Sequence, residues 1–235
     1  TSRLEFTEMH LWELLRSYFN PLGILSDIPI IEKGNHMDKK LYRSTIIALL
    51  LATIPSVVYA HDGSNMPFGG FLSGLIHPVL GYDHLLAMLS VGILSAQIGG
   101  RAIWTIPATF VGVMGIGGAL GLMDIGLTTT EAGIAASLIV LGLIIAADRK
   151  LPTLLMMAGV GFFAIFHGYA HGSEMPTVAE PVLYALGFMT GTALIHIAGV
   201  VIGNIAMHYE RGPLILRAGG GLIAFVGILF ITGIL

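Results

Sequence analysis

Long apolar runs separated by short polar breaks make up the chain from residue 68 to its end. The runs predict six α-helices, because most are about long enough to cross a ~30 Å hydrocarbon layer at ~1.5 Å per residue. The pattern therefore predicts an all-α, polytopic membrane helix bundle. The expected spans are 68–98, 102–123, 128–147, 151–172, 180–207 and 213–235.

The first run is longer than one straight membrane span requires. Pro78 lacks a backbone donor and disfavours helical geometry at His77, and Gly81 weakens the next turn. We therefore expect the first helix to be kinked or broken near Pro78. Such breaks are tolerated at membrane depth chiefly where they line a cavity.

A different pattern precedes the bundle. Residues 37–60, "MDKKLYRSTIIALLLATIPSVVYA", combine a basic start, a short apolar run and a small-residue end, which is typical of a secretory signal peptide. Cleavage after Ala60 would make His61 the mature N-terminus; a retained first helix is the alternative. Residues 1–36 lie upstream of the apparent start methionine and are excluded as added or upstream sequence. The six-helix transmembrane domain is then expected over 61–235.

The amino-acid composition indicates that the protein lies in a lipid membrane. Hydrophobic residues are 55% of the chain and charged residues only 11%, with a mean hydropathy of +0.86, whereas soluble domains carry about 25% charged residues. The net charge of -3 and the absence of a basic cluster argue against nucleic acid as a partner. There are no cysteines, so any metal must be held by nitrogen and oxygen.

Charges at the helix ends predict the orientation. Cytoplasmic ends of membrane helices carry an excess of Lys and Arg. If the mature N-terminus lies outside, every Lys and Arg after residue 61 falls at a cytoplasmic end. We therefore expect a multi-pass protein of the bacterial inner membrane, or an equivalent membrane, with both mature termini outside the cytoplasm. The basic residues are Arg101, Arg149, Lys150, Arg211 and Arg217, and the opposite ends carry Asp62, Asp124, Glu131, Glu174 and Glu180.

Glycines recur four residues apart on several predicted helices. Small residues at this spacing let helix backbones approach closely in membranes. They predict a compact bundle rather than a functional site. The pairs are Gly70/Gly74, Gly117/Gly121, Gly187/Gly191 and Gly199/Gly203.

The segment "HPVLGYDH" places His77, Asp83 and His84 in the first apolar run. A carboxylate at the centre of a membrane helix costs about 2.5–3.5 kcal/mol on insertion scales, so Asp83 needs a partner. An ion pair or hydrogen bond with His84 would be one adequate explanation. On a continuous helix His77 and His84 share a face and Asp83 lies about 100° away. Only a break would let all three converge.

A second polar cluster, "FHGYAHGSE", lies at the end of the fourth predicted helix. His167, His171 and Glu174 follow at i, i+4 and i+7 and so share one stripe. Two imidazoles at this spacing commonly present paired nitrogens to a metal. Together the two clusters favour a metal or proton site. His196 is expected mainly as a hydrogen-bonding group between helices, and it and His61 are secondary candidates as ligands.

The donor types restrict the ion. Imidazole and carboxylate without sulfur suit Ni²⁺, Co²⁺, Zn²⁺ or Fe²⁺. No prosthetic group is expected, and no G-x-x-x-x-G-K-[ST] loop for ATP is present. Movement of the ion would then depend on an ion gradient or the membrane potential.

The two signatures together resemble the HupE/UreJ family, integral membrane proteins associated with hydrogenase and urease gene clusters and regarded as nickel permeases. The resemblance runs from about His61 to Leu235. It implies uptake of a divalent transition metal, with nickel first and cobalt or another ion as alternatives, and no enzymatic activity. The family's motifs fall on His77, Asp83, His84, His167, His171 and Glu174.

Two other functions stay open. An intramembrane zinc hydrolase would use the same histidines to hold Zn²⁺ and activate water. A proton-conducting or sensory membrane protein would use them without metal. The expected partners are the lipid bilayer and a divalent metal ion, and a homo-oligomer is possible.

Overall fold

The computed structural model describes residues 69–175 and 180–235, and these residues form seven α-helices. The predicted signal peptide, residues 1–36 and His61 lie outside the described residues. The prediction of an all-helical fold is confirmed for the described part. The helices are α1 Gly69–Leu80, α2 Tyr82–Ile98, α3 Ala102–Leu122, α4 Thr130–Ala147, α5 Thr153–Ser173, α6 Pro181–Met207 and α7 Gly212–Ile231.

Five of these helices, α3 to α7, are long and apolar enough to cross a membrane. The first predicted span is instead two short helices, α1 and α2, whose axes meet at 84°. The number of spans is therefore five among the described helices, or six if this bent pair counts as one span. The predicted first span over 68–98 is therefore this broken pair, and the predicted break near Pro78 is confirmed.

The break itself lies at Gly81. Pro78 occupies the last turn of α1, where it has no N–H to donate back along the helix. Gly81 is extended, at φ −93° and ψ 113°, and its carbonyl accepts the hydrogen bond of Leu85 N at 2.9 Å. The chain therefore ends one helix and starts the next within a single residue, which produces the sharp bend.

Helix α2 is the centre of the bundle. It contacts each of the other six helices that the structure describes. Ala87, Met88 and Val91 on this helix have no solvent exposure, and Leu94 is 1% exposed. Since α2 begins immediately after the break, the first turn of the central helix lies beside the end of α1.

Glycines set the closest helix pairs. The most extensive contacts join α3 with α5, α4 with α7, and α6 with both α1 and α2. A Cβ added at Gly74 or Gly187 would collide with backbone of the facing helix, nearer than the 3.0 Å limit of real Cβ contacts. The four predicted glycine pairs all lie against a neighbouring helix, so their interpretation as packing positions is confirmed.

The two ends of the bundle differ in charge. Every Lys and Arg of the described residues lies at the end where α2, α4 and α6 finish. There Gln97 Nε2 donates to Asp148 Oδ1 at 3.4 Å, and Arg217 Nε donates to the Ala146 carbonyl at 3.0 Å. We call this the basic end. The opposite end, where α1 meets α2 and α5 finishes, carries the polar clusters predicted from the sequence.

Candidate metal site

Four imidazoles from three helices meet opposite the basic end. His77 comes from the last turn of α1, His84 from the first turn of α2, and His167 and His171 from the last two turns of α5. The ring centroid of His171 lies 4.8 Å from that of His77 and 4.2 Å from that of His84. His84 and His167 are 4.8 Å apart. We call these four residues the four-histidine cluster.

The bend at Gly81 brings the two halves of the first motif together. His77 and His84 belong to different helices, yet both rings pack edge-on against His171. Four imidazoles this close would repel one another strongly if all were protonated. The neutral form of imidazole is the form that binds metals.

Asp83 orients His84. Its Oδ1 accepts hydrogen bonds from both the backbone N–H and Nδ1 of His84, each at 2.8 Å. A carboxylate only accepts hydrogen bonds, so Nδ1 carries the ring proton and Nε2 carries the lone pair. A carboxylate behind a histidine in this way fixes ring orientation and increases ligand basicity in many metal sites. The expected pairing of Asp83 with His84 is thus present, and it leaves Nε2 for a metal.

Ser137, on α4, orients the ring of His167. The Ser137 hydroxyl donates to the Ile134 carbonyl at 2.6 Å, a bond typical of serine in helices. Its oxygen also lies 3.0 Å from His167 Nε2. Because the single hydroxyl proton is already used, Nε2 must be the donor and Nδ1 must carry the lone pair.

Several buried ring nitrogens of the cluster have no partner among the described residues. Within residues 69–175 and 180–235, the buried atoms His84 Nε2, His167 Nδ1 and both nitrogens of His171 have no hydrogen-bond partner. A buried polar atom without a partner costs about 1–3 kcal/mol, so each calls for an explanation. A cation that is coordinated by imidazole nitrogens requires such unpartnered nitrogens on adjacent rings.

Glu174 completes a mixed donor set at the mouth of the cluster. One donor atom each from His77, His171 and Glu174 lies within 4.8 Å of the others. Glu174 is exposed, His77 half-buried and His171 buried, so the set runs from the surface inward. Metal–nitrogen distances are about 2.1 Å, so three atoms within 4.8 Å of one another are close to the separation that ligands of one ion have.

Aromatic side chains wall the cluster. The Phe188 ring lies 4.1 Å from that of His171, and Tyr184 lies 5.8 Å from His77. Phe110 covers His167 at 5.4 Å. An apolar shell of this kind limits the access of water and strengthens the interactions inside it.

Glycines place the second motif against α3. A Cβ at Gly168 or Gly172 would lie nearer than 3.0 Å to the backbone of Met114 or Gly118. Only glycine allows this approach of α5 to α3. The glycines of "FHGYAHGSE" are therefore packing residues, and its histidines remain candidate metal ligands.

His196 lies apart from the four-histidine cluster, near the middle of α6. It is 1% exposed, and neither ring nitrogen has a partner among the described residues. The expectation that His196 forms a hydrogen bond between helices is therefore wrong for this part of the chain. Its ring instead packs edge-on against Phe110 at 5.1 Å.

Sequence reasoning missed Ser137. The residue is fully buried in α4, a helix that carries no candidate ligand. A lone serine in the apolar stretch "AASLIVLGL" was the available signal. Nothing local shows which helix faces it, so its partner follows only from the pairing of α4 with α5.

Similarity to known proteins gives the family of the chain. A sequence model of the family described as HupE / UreJ protein matches residues 48–230. The chain belongs to the HupE/UreJ family. It is 36% identical over 192 residues to "Protein HupE" of Rhizobium leguminosarum bv. viciae, an alignment that covers 82% of this chain and 99% of that protein. No solved structure matches the chain.

Membership gives the class of protein. HupE/UreJ proteins are generally nickel or cobalt uptake accessory proteins, and the family is a transporter or accessory family. Together with the long apolar helices, it makes this chain an integral, multi-pass membrane protein in contact with the lipid bilayer.

Proposed function

We propose that this HupE/UreJ protein is an uptake permease that carries a divalent transition metal, nickel first and cobalt next, through the bundle without ATP hydrolysis. The observation that carries the proposal is the convergence of four imidazoles and one carboxylate from α1, α2 and α5, with unpartnered nitrogens on three of the rings. A packing role alone would leave those nitrogens uncompensated.

The ion is received at the exposed side of the site. Glu174, His77 and His171 supply one oxygen and two nitrogens. His84 and His167 then take the ion deeper, each through the ring nitrogen that Asp83 or Ser137 leaves free. Exchange of ligands between neighbouring donors keeps binding strong enough to select the ion and weak enough to release it.

The donor set favours late divalent metals of the first row. Imidazoles with one carboxylate bind Co²⁺, Ni²⁺ and Zn²⁺ well, and affinity peaks near Ni²⁺ and Cu²⁺. Met88 and Met156 belong to the apolar core, so sulfur plays no part in this set. Hard cations such as Mg²⁺ prefer oxygen ligands and are expected to bind weakly.

The membrane potential supplies a sufficient driving force. A divalent ion gains about 4.6 kcal/mol on moving through 100 mV toward a negative interior, at ~2.3 kcal/mol per charge. In this proposal the four-histidine cluster faces outward and the basic end faces the cytoplasm. Both mature termini are then outside, as the positive-inside rule predicts.

The test is metal uptake by the full chain in sealed vesicles, with labelled Ni²⁺, Co²⁺ and Zn²⁺ under an imposed negative potential. We expect His84→Ala and His171→Ala to abolish uptake while the protein still inserts. His208→Ala is the matched control, since His208 is exposed near the basic end. Normal uptake by both cluster variants would contradict the proposal, as would hydrolysis of a lipid ester by protein that moves no metal.

A further inference from the structure

His196 is the one buried histidine that the uptake site leaves unused among the described residues. It lies near the middle of Pro181–Met207, and its side chain is 1% exposed. Neither Nδ1 nor Nε2 has a hydrogen-bond partner in the described part of the chain. Two unpartnered nitrogens in a membrane interior are costly, and an apolar residue of similar size would avoid that cost.

One aromatic ring joins His196 to the four-histidine cluster. Phe110 lies 5.4 Å from the ring of His167 and 5.1 Å from the ring of His196. The two imidazoles are therefore separated by no more than the sum of these distances. His196 belongs to α6 and His167 to α5, so the Phe110 ring lies between histidines of two different helices.

A second polar group shares the face of α6 that carries His196. Thr192 precedes it by four residues and is fully buried. Its hydroxyl donates to Met114 Sδ at 3.8 Å. The proton of the hydroxyl is thus directed to sulfur, and the lone pairs of Oγ1 stay free to face a cation.

We propose that His196 is an inner binding station for the divalent metal, which the ion reaches from His167 after passing Phe110. The inference rests on the proposed function, because it extends the same path toward the basic end. A ring nitrogen of His196 would hold the ion, with Thr192 Oγ1 and water as weaker ligands. The station offers fewer strong donors than the four-histidine cluster, so it binds more weakly and releases the ion faster.

The experiment compares equilibrium binding with transport for the full chain. Ni²⁺ binding is measured in detergent by titration calorimetry, and Ni²⁺ uptake is measured in vesicles under a negative potential. For His196→Leu we expect unchanged affinity of the four-histidine cluster and an uptake rate lowered by about tenfold, since loss of one metal-binding group commonly costs that much. His208→Leu is the matched control and should leave both measurements unchanged.

A second measurement needs no variant that might fold poorly. Wild-type protein labelled with ¹⁵N-histidine is titrated with diamagnetic Zn²⁺ and followed by NMR, because ligation shifts the coordinated ring nitrogens directly. We expect the four cluster histidines to shift first and His196 to shift at higher metal concentration. A His196 ring-nitrogen signal that never responds to Zn²⁺ would overturn the inner station, as would wild-type uptake by a well-folded His196→Leu variant.

The outcomes separate the two proposals. If wild-type protein moves Ni²⁺ and His196→Leu moves it equally fast, the inner station fails and the permease proposal survives. If wild-type protein moves no metal, the permease proposal fails and the inner station fails with it. If His196→Leu binds Ni²⁺ normally but transports slowly, both are supported.

Discussion

Ser137 Oγ lies 3.0 Å from His167 Nε2, and this contact joins α4, which carries no candidate ligand, to the four-histidine cluster. Because the serine proton goes to the Ile134 carbonyl, the contact selects one tautomer of the His167 ring. Nδ1, the nitrogen left with a lone pair, is buried without a partner in the described residues. One hydroxyl thus decides which atom of His167 is offered to a metal.

Removing that hydroxyl tests its role. We expect Ser137→Ala to weaken Ni²⁺ binding by about 10- to 100-fold, the usual effect of losing a group that orients a metal-binding histidine. Ser137→Thr keeps the hydroxyl and should restore most of the affinity. Titration calorimetry measures both, and ¹⁵N NMR of labelled histidine reports the tautomer directly. Equal affinity of Ser137→Ala and wild type, or a proton on Nδ1 of His167 in the wild type, would contradict the assignment.

Asp83 orients the ring of His84 in the way that Ser137 orients the ring of His167. Asp83→Asn keeps the shape of the side chain but loses the charge that polarises the ring, so metal affinity should fall by about 10- to 100-fold. Asp148→Asn is the matched control at the basic end. Asp148 has φ 51°, a conformation that asparagine also adopts, and Asn can keep a contact with Gln97. If both variants bind Ni²⁺ as well as wild type does, Asp83 does not act through His84.

Gly81 is predicted to protect the Asp83–His84 pair from crowding. A Cβ at Gly81 would lie 3.0 Å from Asp83 Oδ1 and 3.2 Å from His84 Nδ1. The backbone itself would not be strained, because alanine readily adopts a φ of −93°. We therefore expect Gly81→Ala to lower Ni²⁺ affinity several-fold with little change in the unfolding temperature. Gly112→Ala is the control, because nothing lies within 4 Å of a Cβ there. A variant at Gly81 with wild-type affinity would show that the pair adjusts freely.

A substitution at Gly168 is predicted to lower the stability of the folded protein. A Cβ at this position would meet the backbone of Met114 and Gly118, so Gly168→Ala must push α5 away from α3. Overpacking of this kind costs about 1–3 kcal/mol in the free energy of unfolding. Thermal unfolding in detergent measures the loss. Gly159→Ala, on the same helix with nothing within 4 Å, should unfold at the wild-type temperature or above, and equal stability of the two variants would refute the argument.

The sequence was sufficient for the features that depend on local spacing. Apolar runs predicted the helices within a few residues, glycines four apart predicted the close helix faces, and the helical repeat predicted that His167 and His171 lie one turn apart on the same helix. The break near Pro78 followed from the missing backbone donor. Each of these depends on residues within about two turns of one another.

Features that depend on helix neighbours could not be predicted in the same way. The 84° angle at Gly81 is set by how α1 and α2 pack on the rest of the bundle. The partner of Ser137 and the lack of a partner for His196 depend on which helices face each other. No spacing within one segment carries that information.

The four-histidine cluster straddles a boundary in the packing of the bundle. His77 and His84 belong to α1 and α2, which pack closely on α6, and glycines bring backbone against backbone there. His167 and His171 belong to α5, which is joined through its own glycines to α3. Each side of the boundary contributes two imidazoles. Under the proposed function, a metal bound between them would be a reversible cross-link between the two groups of helices.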